Sequence, residues 1–315
     1  MNIFGAGKPK LGLALGSGAA RGMAHIGILR ALDDAGVKPD IVAGASIGAL
    51  VGGMYAAGKI DELTDIALGL NWRRAAAYFM EVSFPRAGLI AGNKVTEFLT
   101  EIIGRRDIAD LDIIFRAVAA EIMSGREVVI GEGDLVAAIR ASIAVPGIFT
   151  PVRKNGDLLA DGGLVNPVPV SICRALGAER VIAVDLNHGR VRDTRAAADA
   201  GKGEVRKSRQ RAGGDAGEMF AWLERKAKLL DVGFLDPIKT WMGRQAMPSI
   251  FDVLGNALRI MEGQIAATRL EIDRPDLLIR PAVGHVHFME FALAEETIEE
   301  GYRAAREALK QMKSW

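Results

Sequence analysis

The sequence predicts an α/β fold with a mostly parallel central sheet and helices on both faces of the sheet. Two short apolar runs, Leu11–Gly16 and Ile41–Ala43, have the length and composition of buried parallel strands. Each is followed by a glycine-rich turn and then by apolar residues at helical spacing, so strand and helix alternate from the start. The chain has 315 residues, of which half are hydrophobic and a quarter charged, and it is long enough to bury a large core.

The stretch Ile41–Gly58 contains no charged residue, and its length is close to that of a membrane-spanning helix. The spacing of Gly44, Gly48 and Gly52 would also suit a packed pair of membrane helices. However, five glycines, five alanines and one serine give the stretch little free energy of transfer into lipid. We therefore interpret it as a buried strand, a sharp turn and a buried helix that stops at Gly58.

Hydrophobic periodicity and turn residues predict the remaining elements. The first helix carries on one face Met23, Ile26, Leu29 and Leu32. Further helices are predicted at Asp61–Leu70, Asn93–Ile103, Leu135–Ser142, Val168–Leu176 and Pro248–Glu271. A C-terminal helix is predicted with an inner face formed by Ile298, Tyr302, Ala305, Leu309 and Met312. Strands are predicted at Ile113–Ile122, Glu127–Ile130, Leu158–Gly163, Arg180–Leu186 and Asp276–Ile279.

We expect a single domain over residues 1–315. Residues 188–215 are rich in basic residues and poor in bulky apolar ones, which is typical of a mobile surface insertion. Residues 216–315 are predicted to be mainly helical. Their first part, 219–245, is amphipathic, which favours packing on the body or on a second subunit. An interfacial helix or a lid that meets lipid is the alternative interpretation of 219–245.

Charge and cysteine content limit the classes of function. The chain has 40 basic and 39 acidic residues, and no aromatic residues interleave with its basic run, so we expect no nucleic-acid partner. The single cysteine, Cys173, excludes an intramolecular disulfide and a zinc site built from four cysteines. The N-terminus lacks the apolar run of a signal peptide, and we expect a cytoplasmic protein.

The glycine-rich turn Gly16–Gly22 invites comparison with nucleotide-binding loops. Arg21 stands where the dinucleotide fingerprint requires a small residue, and the second strand has no acidic residue after it to bind a ribose. The Gly-Lys-Ser/Thr ending of a phosphate-binding P-loop is missing as well. His285 and His287 flank a single residue, which gives too few ligands for a metal site. The sequence therefore predicts no cofactor and no metal.

The turn Gly44-Ala-Ser-Ile-Gly48 fits the pattern Gly-x-Ser-x-Gly. In such an elbow the serine backbone is strained so that the hydroxyl stands clear at the carboxyl end of a strand, and the glycines avoid clashes where chain segments approach. The following helix directs its positive N-terminus at the site. Ser46 is therefore a candidate nucleophile, although glycine, alanine and serine are abundant in this chain and the motif alone has moderate specificity.

Two other glycine-rich turns also follow predicted strands, and in an open α/β sheet the carboxyl ends of strands are where sites assemble. In the first of these turns the backbone amides of Gly16, Ser17, Gly18 and Ala19 precede a helix and are candidates to bind an oxyanion. Arg21 either adds positive charge there or holds the loop as a surface residue.

A serine nucleophile needs a base. Asp161 ends a predicted strand and is followed by two glycines, so its carboxylate is expected in the same crevice as Ser46. A partly desolvated carboxylate is a stronger base than a solvated one and could accept the serine proton without a histidine. The rival is an α/β-hydrolase with a Ser-Asp-His triad that uses His285 or His287, although that fold usually places more strands before its elbow.

Three motifs in this order resemble the patatin-like phospholipase family: Gly16-Ser-Gly-Ala-Ala-Arg-Gly22 as oxyanion loop, Gly44–Gly48 as nucleophile elbow and Asp161-Gly-Gly163 as the catalytic aspartate turn. Ala141–Pro146 and Asn166-Pro167 are similar to the family as well. The resemblance covers residues 9–187 and is more specific than any single motif. Ser17 stands where members of the family commonly carry glycine.

The resemblance implies a three-layer sandwich, a dyad of Ser46 and Asp161, no metal, and hydrolysis of the acyl esters of lipids. Phospholipids or lysophospholipids are the expected substrates, with peripheral contact at the inner face of the membrane and a homo-oligomer as further expectations. The basic run after His188 has no counterpart that we can map onto the family. The alternative to an enzyme is a regulatory or scaffold protein that keeps the fold and binds partners.

Overall fold

The computed structural model describes residues 9–69, 92–188 and 250–314. The strands are β1 (Leu11–Leu15), β2 (Ile41–Ala45), β3 (Ile114–Glu121), β4 (Arg126–Ile130), β5 (Val152–Lys154), β6 (Asp157–Asp161), β7 (Arg180–Val184) and β8 (Leu277–Ile279). The α-helices are α1 (Ala24–Asp34), α2 (Ile47–Ala56), α3 (Ile60–Gly69), α4 (Asn93–Ile103), α5 (Leu135–Ser142), α6 (Val170–Ala175), α7 (Ile250–Asp273) and α8 (Ala294–Leu309). Short 3-10 turns lie at Ala19–Met23, Ile108–Asp110, Gly162–Leu164, Phe291–Leu293 and Lys310–Ser314.

The described strands form one eight-stranded sheet in the order β5-β6-β3-β2-β1-β7-β8, with β4 paired to β3. Strands β3, β2, β1, β7 and β8 are parallel, whereas β4 and β6 run antiparallel to β3. The prediction of a mostly parallel central sheet is confirmed. The sequence pattern does not indicate β5, because this strand is only three residues long and its one apolar residue shows no alternation.

Helices cover both faces of the sheet, as predicted. Leu13 and Leu15 of β1 point to the face covered by α1, α2, α5 and α8, whereas Ala14 of β1 and Ala43 of β2 point to the face covered by α6 and α7. All residues of β1 and β2 are buried. Continuous apolar strands are required here because a parallel sheet between two helical layers has no face in contact with water.

Where the structure describes the residues on both sides of a boundary, the predicted boundaries hold within two residues, and the difference at the start of α6 has a local cause. The sequence pattern starts this helix at Val168, but α6 begins at Val170. Val168 precedes Pro169, and the residue before a proline is disfavoured in the helical region. The helix therefore forms only after Pro169, which occupies its N-cap position.

Two predicted segments lie outside the described residues: the basic insertion at 188–215, apart from His188, and the amphipathic segment 219–245. The single domain over residues 1–315 stays a prediction. Of the region 216–315, the described part consists mainly of α7 and α8. No helix within the three described ranges combines the length and hydropathy that crossing a bilayer requires.

Helices α1 and α8 pack closely because each carries a glycine at the contact. A Cβ atom at Gly27 would overlap the carbonyl oxygen of Ile298, and one at Gly301 would overlap that of Ala24. Without these side chains the two backbones can touch. The predicted inner face is confirmed in α8 for the buried pair Ile298 and Ala305 and for the partly buried Tyr302 and Leu309. Met312 packs on the same core from the 3-10 turn that follows α8.

Replacing Gly301 with alanine is expected to lower the free energy of unfolding by about 1–3 kcal/mol, the range for overpacked sites. The new methyl group must push α8 away from the backbone of α1. Urea unfolding followed by circular dichroism measures the change. Gly284→Ala is the matched control, because its Cβ would meet only a side-chain nitrogen of Arg259 at 3.4 Å. Equal stability of the two variants would contradict the packing account.

Candidate active site

Ser46 lies in the one-residue connection between β2 and α2, where its backbone has φ 57° and ψ −126°. A positive φ is unfavourable for a residue that carries a side chain. The surroundings enforce it: a Cβ atom at Gly44 would overlap the backbone of Gly48, and one at Gly48 would overlap the carbonyl oxygen of Leu15. Both glycines of the Gly-x-Ser-x-Gly pattern are therefore required by the close approach of backbone segments.

The amide of Ser46 is held by a buried serine at the end of α5. Ser46 N–H donates to Ser142 Oγ at 3.0 Å, and the Ser142 hydroxyl donates to the carbonyl oxygen of Val118 at 2.5 Å. This chain of bonds ties the elbow to β3. Ser142 belongs to the segment Ala141–Pro146, but the sequence alone does not indicate its role, because both partners are distant in the chain.

The Ser46 hydroxyl and the Asp161 carboxylate are in direct contact. Ser46 Oγ donates to Asp161 Oδ2 at 2.6 Å, and the amide of Gly163 donates to Oδ1 at 2.8 Å. Ser46 is 6% exposed and Asp161 is 2% exposed. The carboxylate is thus fixed at one oxygen by the serine and at the other by its own Asp-Gly-Gly turn.

The sequence predicts that Asp161 and Ser46 meet because their parallel strands end at the same edge of the sheet. In the structure, however, the strand that carries Asp161, β6, is antiparallel to β3. Ala45, the last residue of β2, pairs with Val118, whereas β3 continues to Glu121. Strand β6 pairs with this extension while running in the opposite direction. Asp161 lies opposite Ala119, one residue from the level at which β2 ends.

The environment makes the Asp161 carboxylate a stronger base. Burial raises the pKa of Asp161 to about 8, and the negative charge of Glu262 acts in the same direction. The hydrogen bonds from Ser46 and Gly163 oppose this effect because they stabilise the charged form. A carboxylate with a raised pKa is better matched to general-base chemistry near neutral pH.

Two of the four predicted oxyanion amides are engaged elsewhere. Gly16 N–H donates to the carbonyl oxygen of Val184 at 3.1 Å, which continues the pairing of β1 with β7, and Ser17 N–H donates to that of Pro167 at 2.8 Å. An amide committed to a buried carbonyl is not free to bind an oxyanion. The expectation for the amides of Gly16 and Ser17 is therefore wrong, and these two residues anchor the loop.

The amides of Gly18 and Ala19 have no acceptor within the described part of the chain. Gly18 directly precedes the 3-10 turn Ala19–Met23, and the first amides of a helical turn lack intrahelical partners. Ala19 has φ 51°, in the left-handed region, so the chain bends sharply here. Gly18 and Ala19 remain the candidate oxyanion donors.

Arg21 lies beneath the loop and is only 2% exposed, so the expectation of a surface residue is wrong. Its Nε donates to the carbonyl oxygen of Gly18 at 3.1 Å and its Nη1 to that of Leu186 at 3.3 Å. Burial lowers the pKa of Arg21 to about 10, while the charges of Glu262 and Asp185 oppose the shift. Arg21 is thus a buried cation whose hydrogen bonds hold the loop from the interior.

His25 supports the same loop from α1. Its Nε2 lies 2.8 Å from the carbonyl oxygen of Gly16 and its ring is fully buried. Burial lowers the pKa of His25 to about 4, so the ring is neutral near pH 7 and Nε2 carries the hydrogen that it donates. His25 therefore links α1 to the glycine-rich loop.

The histidines of the rival triad do not contact the dyad. His285 Nε2 lies 2.7 Å from Glu296 Oε1, and His287 occupies the same loop before α8. The side-chain hydrogen bonds of Ser46 and Asp161 involve no histidine. In the described ranges, no group of three or more histidine, cysteine or acidic residues is arranged to hold a metal ion.

A buried carboxylate that the sequence does not single out completes the site. Glu262, in the middle of α7, accepts a hydrogen bond from Ser17 Oγ at 2.8 Å and one from Asn187 Nδ2 at 3.1 Å. Its only sequence signal is an acidic residue within a long helix, which usually indicates a solvated position.

The order of these residues in the chain matches a known family. The family model for patatin-like phospholipases matches residues 13–174, which is more than half of the chain and includes both Ser46 and Asp161. The chain belongs to the patatin-like phospholipase family. The predicted patatin-like fold, a three-layer sandwich, is confirmed. Glu262 and Asn187 of this patatin-like protein lie outside the matched residues.

Relatives of this patatin-like protein occur in bacteria and animals. An uncharacterised NTE family protein of Mycobacterium bovis is 40% identical over 197 residues, covering 62% of this chain and 54% of that protein. Patatin-like phospholipase domain-containing protein 7 of Mus musculus is 33% identical over 196 residues, covering 60% of this chain and 14% of the mouse protein. VipD from Legionella pneumophila aligns with a TM-score of 0.47 and 16% identity, over 97% of this chain and 67% of that chain. The chain spans about half the length of its mycobacterial relative.

Replacing Ser142 with alanine is expected to lower the free energy of unfolding by about 1–3 kcal/mol, because the buried amide of Ser46 and the carbonyl of Val118 both lose their partner. Urea unfolding measures this loss. Ser124→Ala is the control, since that exposed serine lies in the β3–β4 turn, where water can replace its bonds to Glu121. A loss no larger than that of the control would contradict the role given to Ser142.

Proposed function

We propose that this protein is a serine hydrolase that cleaves the acyl ester bonds of lipids, with Ser46 as nucleophile and Asp161 as base. The observation that carries the proposal is the 2.6 Å hydrogen bond from Ser46 Oγ to the buried Asp161 carboxylate. A serine hydroxyl is a weak nucleophile until a base takes its proton, and this contact provides the base directly. Membership of the patatin-like phospholipase family supports the same reaction class.

In the first half of the reaction, Asp161 takes the proton of Ser46 as Oγ attacks the carbonyl carbon of the ester. The new C–O bond places a negative charge on the former carbonyl oxygen. The amides of Gly18 and Ala19, which have no acceptor in the part of the chain that the structure describes, are the donors proposed to stabilise it. When the tetrahedral intermediate collapses, the bond to the leaving alcohol breaks. Asp161 returns the proton to that alcohol, and the acyl group remains on Ser46.

In the second half, Asp161 takes a proton from water, which attacks the acyl group and releases the fatty acid from Ser46. No imidazole is needed, because the same carboxylate acts as base and then as acid in each half. The N-terminus of α2 begins at Ile47, immediately after the nucleophile, and its partial positive charge favours the developing oxyanion. The strained backbone of Ser46 keeps the hydroxyl beside its base without a conformational change.

Phospholipids or lysophospholipids are the proposed substrates, in keeping with the family. Peripheral contact with the inner face of a membrane, a cytoplasmic location, a homo-oligomer and the absence of nucleic-acid partners remain predictions. No observation in the described residues favours the scaffold alternative over the enzyme.

Ser46→Ala and Asp161→Asn are each expected to lower kcat/KM on acyl esters at least about a thousandfold, the scale for removing a member of a catalytic unit. The asparagine side chain keeps the shape of the aspartate but cannot take up a proton. Turnover of a panel of phospholipid, lysophospholipid and short-chain esters measures the loss. Unfolding curves for each variant establish that the fold is intact. Activity of either folded variant within tenfold of the wild type would contradict the proposal.

Replacing both His285 and His287 with alanine serves as the test of the rival triad. Turnover on the same esters is expected to remain close to that of the wild type, because neither ring contacts Ser46 or Asp161. A loss of about a thousandfold in a folded double variant would favour the triad and remove Asp161 as the sole base.

A further inference from the structure

A second buried carboxylate lies against the turn that carries Asp161. Glu262 is 8% exposed, and a Cβ atom at Gly163 would be only 2.8 Å from its Oε1. The amide of Gly163 in turn donates to Asp161 Oδ1 at 2.8 Å. Gly163 is therefore the spacer between two buried carboxylates, and a side chain at this position would displace Glu262.

Glu262 is held in this position by two donors from separate parts of the fold. Ser17 Oγ donates to Glu262 Oε2 at 2.8 Å, and Asn187 Nδ2 lies 3.1 Å from the same oxygen. Asn187 Nδ2 also lies 3.0 Å from Ser17 Oγ, so the three side chains form a closed cluster.

We propose that Glu262 is a positioning residue of the active site, which acts on the reaction through Asp161 and is itself held by Ser17 and Asn187. This inference rests on the proposed function. Two carboxylates buried close together cannot both ionise easily, because each negative charge disfavours the other. The charge of Glu262 therefore favours proton uptake by Asp161 as Ser46 attacks.

The other charged groups around the pair determine which carboxylate keeps the charge. Burial raises the pKa of Glu262, but the bonds from Ser17 and Asn187 and the positive charge of Arg21 oppose this effect. For Asp161, burial and the charge of Glu262 both raise the pKa, while the bonds from Ser46 and Gly163 oppose them. Because Glu262 accepts two side-chain hydrogen bonds and interacts with the Arg21 cation, the proposal assigns the negative charge to Glu262 and the proton to Asp161.

Arg21 is in turn surrounded by charges on two other elements. Arg259 on α7 lowers the pKa of Arg21, and Asp185 after β7 raises it, as does Glu262. Asp185 also accepts a hydrogen bond from Arg280 at 3.1 Å. Arg21 stabilises the negative charge of Glu262, and the charge of Glu262 in turn raises the pKa of Asp161.

Glu262→Gln tests the proposal through the pH dependence of kcat/KM on the most active ester. Glutamine keeps the size and one acceptor oxygen but removes the charge. Because the base must be deprotonated, the acid limb of the profile follows the pKa of Asp161, and we expect its midpoint to fall by about one pH unit. One pH unit below the wild-type midpoint, kcat/KM relative to the plateau should rise about fivefold.

Glu127→Gln is the matched control. Glu127 is also partly buried and bonds to Arg269 of α7 at 3.1 Å, but its charge does not act on Asp161. The acid limb of the kcat/KM profile of Glu127→Gln should coincide with that of the wild type. If Glu262→Gln lowers activity equally at every pH without moving the limb, Glu262 is merely structural and the proposal is overturned.

Ser17→Ala provides a second variant should Glu262→Gln fail to fold. Loss of the hydroxyl removes a donor that stabilises the charged form of Glu262, so Glu262 takes up a proton more readily and repels the Asp161 charge less. The acid limb is expected to move in the same direction as in Glu262→Gln, by a smaller amount. An unchanged limb in folded Ser17→Ala would contradict the coupling.

Infrared difference titration of the carboxyl bands measures the protonation of Asp161 and Glu262 directly and does not require catalytic turnover. The Asp161→Asn variant assigns the Asp161 band. The Asp161 carboxyl of the wild type should protonate well above the usual aspartate range, and at a lower pH in Glu262→Gln or Ser17→Ala. Identical titrations would overturn the role of Glu262 whether or not the protein hydrolyses esters. A wild type that cleaves no ester but shows the expected titration would instead overturn the proposed function alone.

Discussion

The contact between Ser46 and Asp161 depends on two strands that end at the same level of one sheet. The two residues are 115 positions apart in the chain, and their strands, β2 and β6, pair with successive parts of the same edge of β3, opposite β4. Because β3 continues past the end of β2, it provides a partner for the antiparallel β6 and returns Asp161 to the level of the elbow. The length of β3 is therefore the constraint that brings the two side chains together, since a β3 that ended with β2 would leave the end of β6 unpaired.

Around this contact, buried donors hold the glycine-rich loop by its carbonyl oxygens. His25 binds that of Gly16, Asn187 that of Ser17, and Arg21 that of Gly18. Buried backbone groups of this kind are almost always paired, and here each partner comes from a different element. The loop is thus fixed in a conformation in which two amides, those of Gly18 and Ala19, have no acceptor among residues 9–69, 92–188 and 250–314. A rigid loop with free amides is what electrostatic stabilisation of an oxyanion requires, because the donors need no rearrangement during the reaction.

The order of strands and helices, and the contact between Ser46 and Asp161, could be predicted from the sequence because their signals are local. The elbow needs glycines at 44 and 48, and Asp161 is followed by two glycines, so both turns can be recognised from a few adjacent residues. The direction of β6 could not be predicted in this way, because its short apolar run, Leu158–Ala160, suits a parallel and an antiparallel strand equally. For the uncharged stretch Ile41–Gly58, by contrast, local composition was informative. Its many glycines and alanines argue against a membrane span, and the stretch folds as β2 and α2.

The remaining differences have one physical cause, which is that hydrogen-bond partners distant in sequence leave no local pattern. Ser17 and Glu262 are 245 positions apart, yet their bond brings α7 against the loop. The amides of Gly16 and Ser17 looked free because Val184 and Pro167 follow more than a hundred residues later. A surface position for Arg21 was a reasonable expectation because arginine is rarely buried, and its acidic and carbonyl partners become visible only in the fold.

The most direct test of the account is reaction of the folded protein with a fluorophosphonate probe, followed by mass spectrometry of the modified peptide. The account predicts a single adduct on Ser46, formed far more slowly in Asp161→Asn because the base is missing. Absence of an adduct, an adduct on another residue, or labelling of Asp161→Asn at the wild-type rate would contradict the assignment of Ser46 as a nucleophile activated by Asp161.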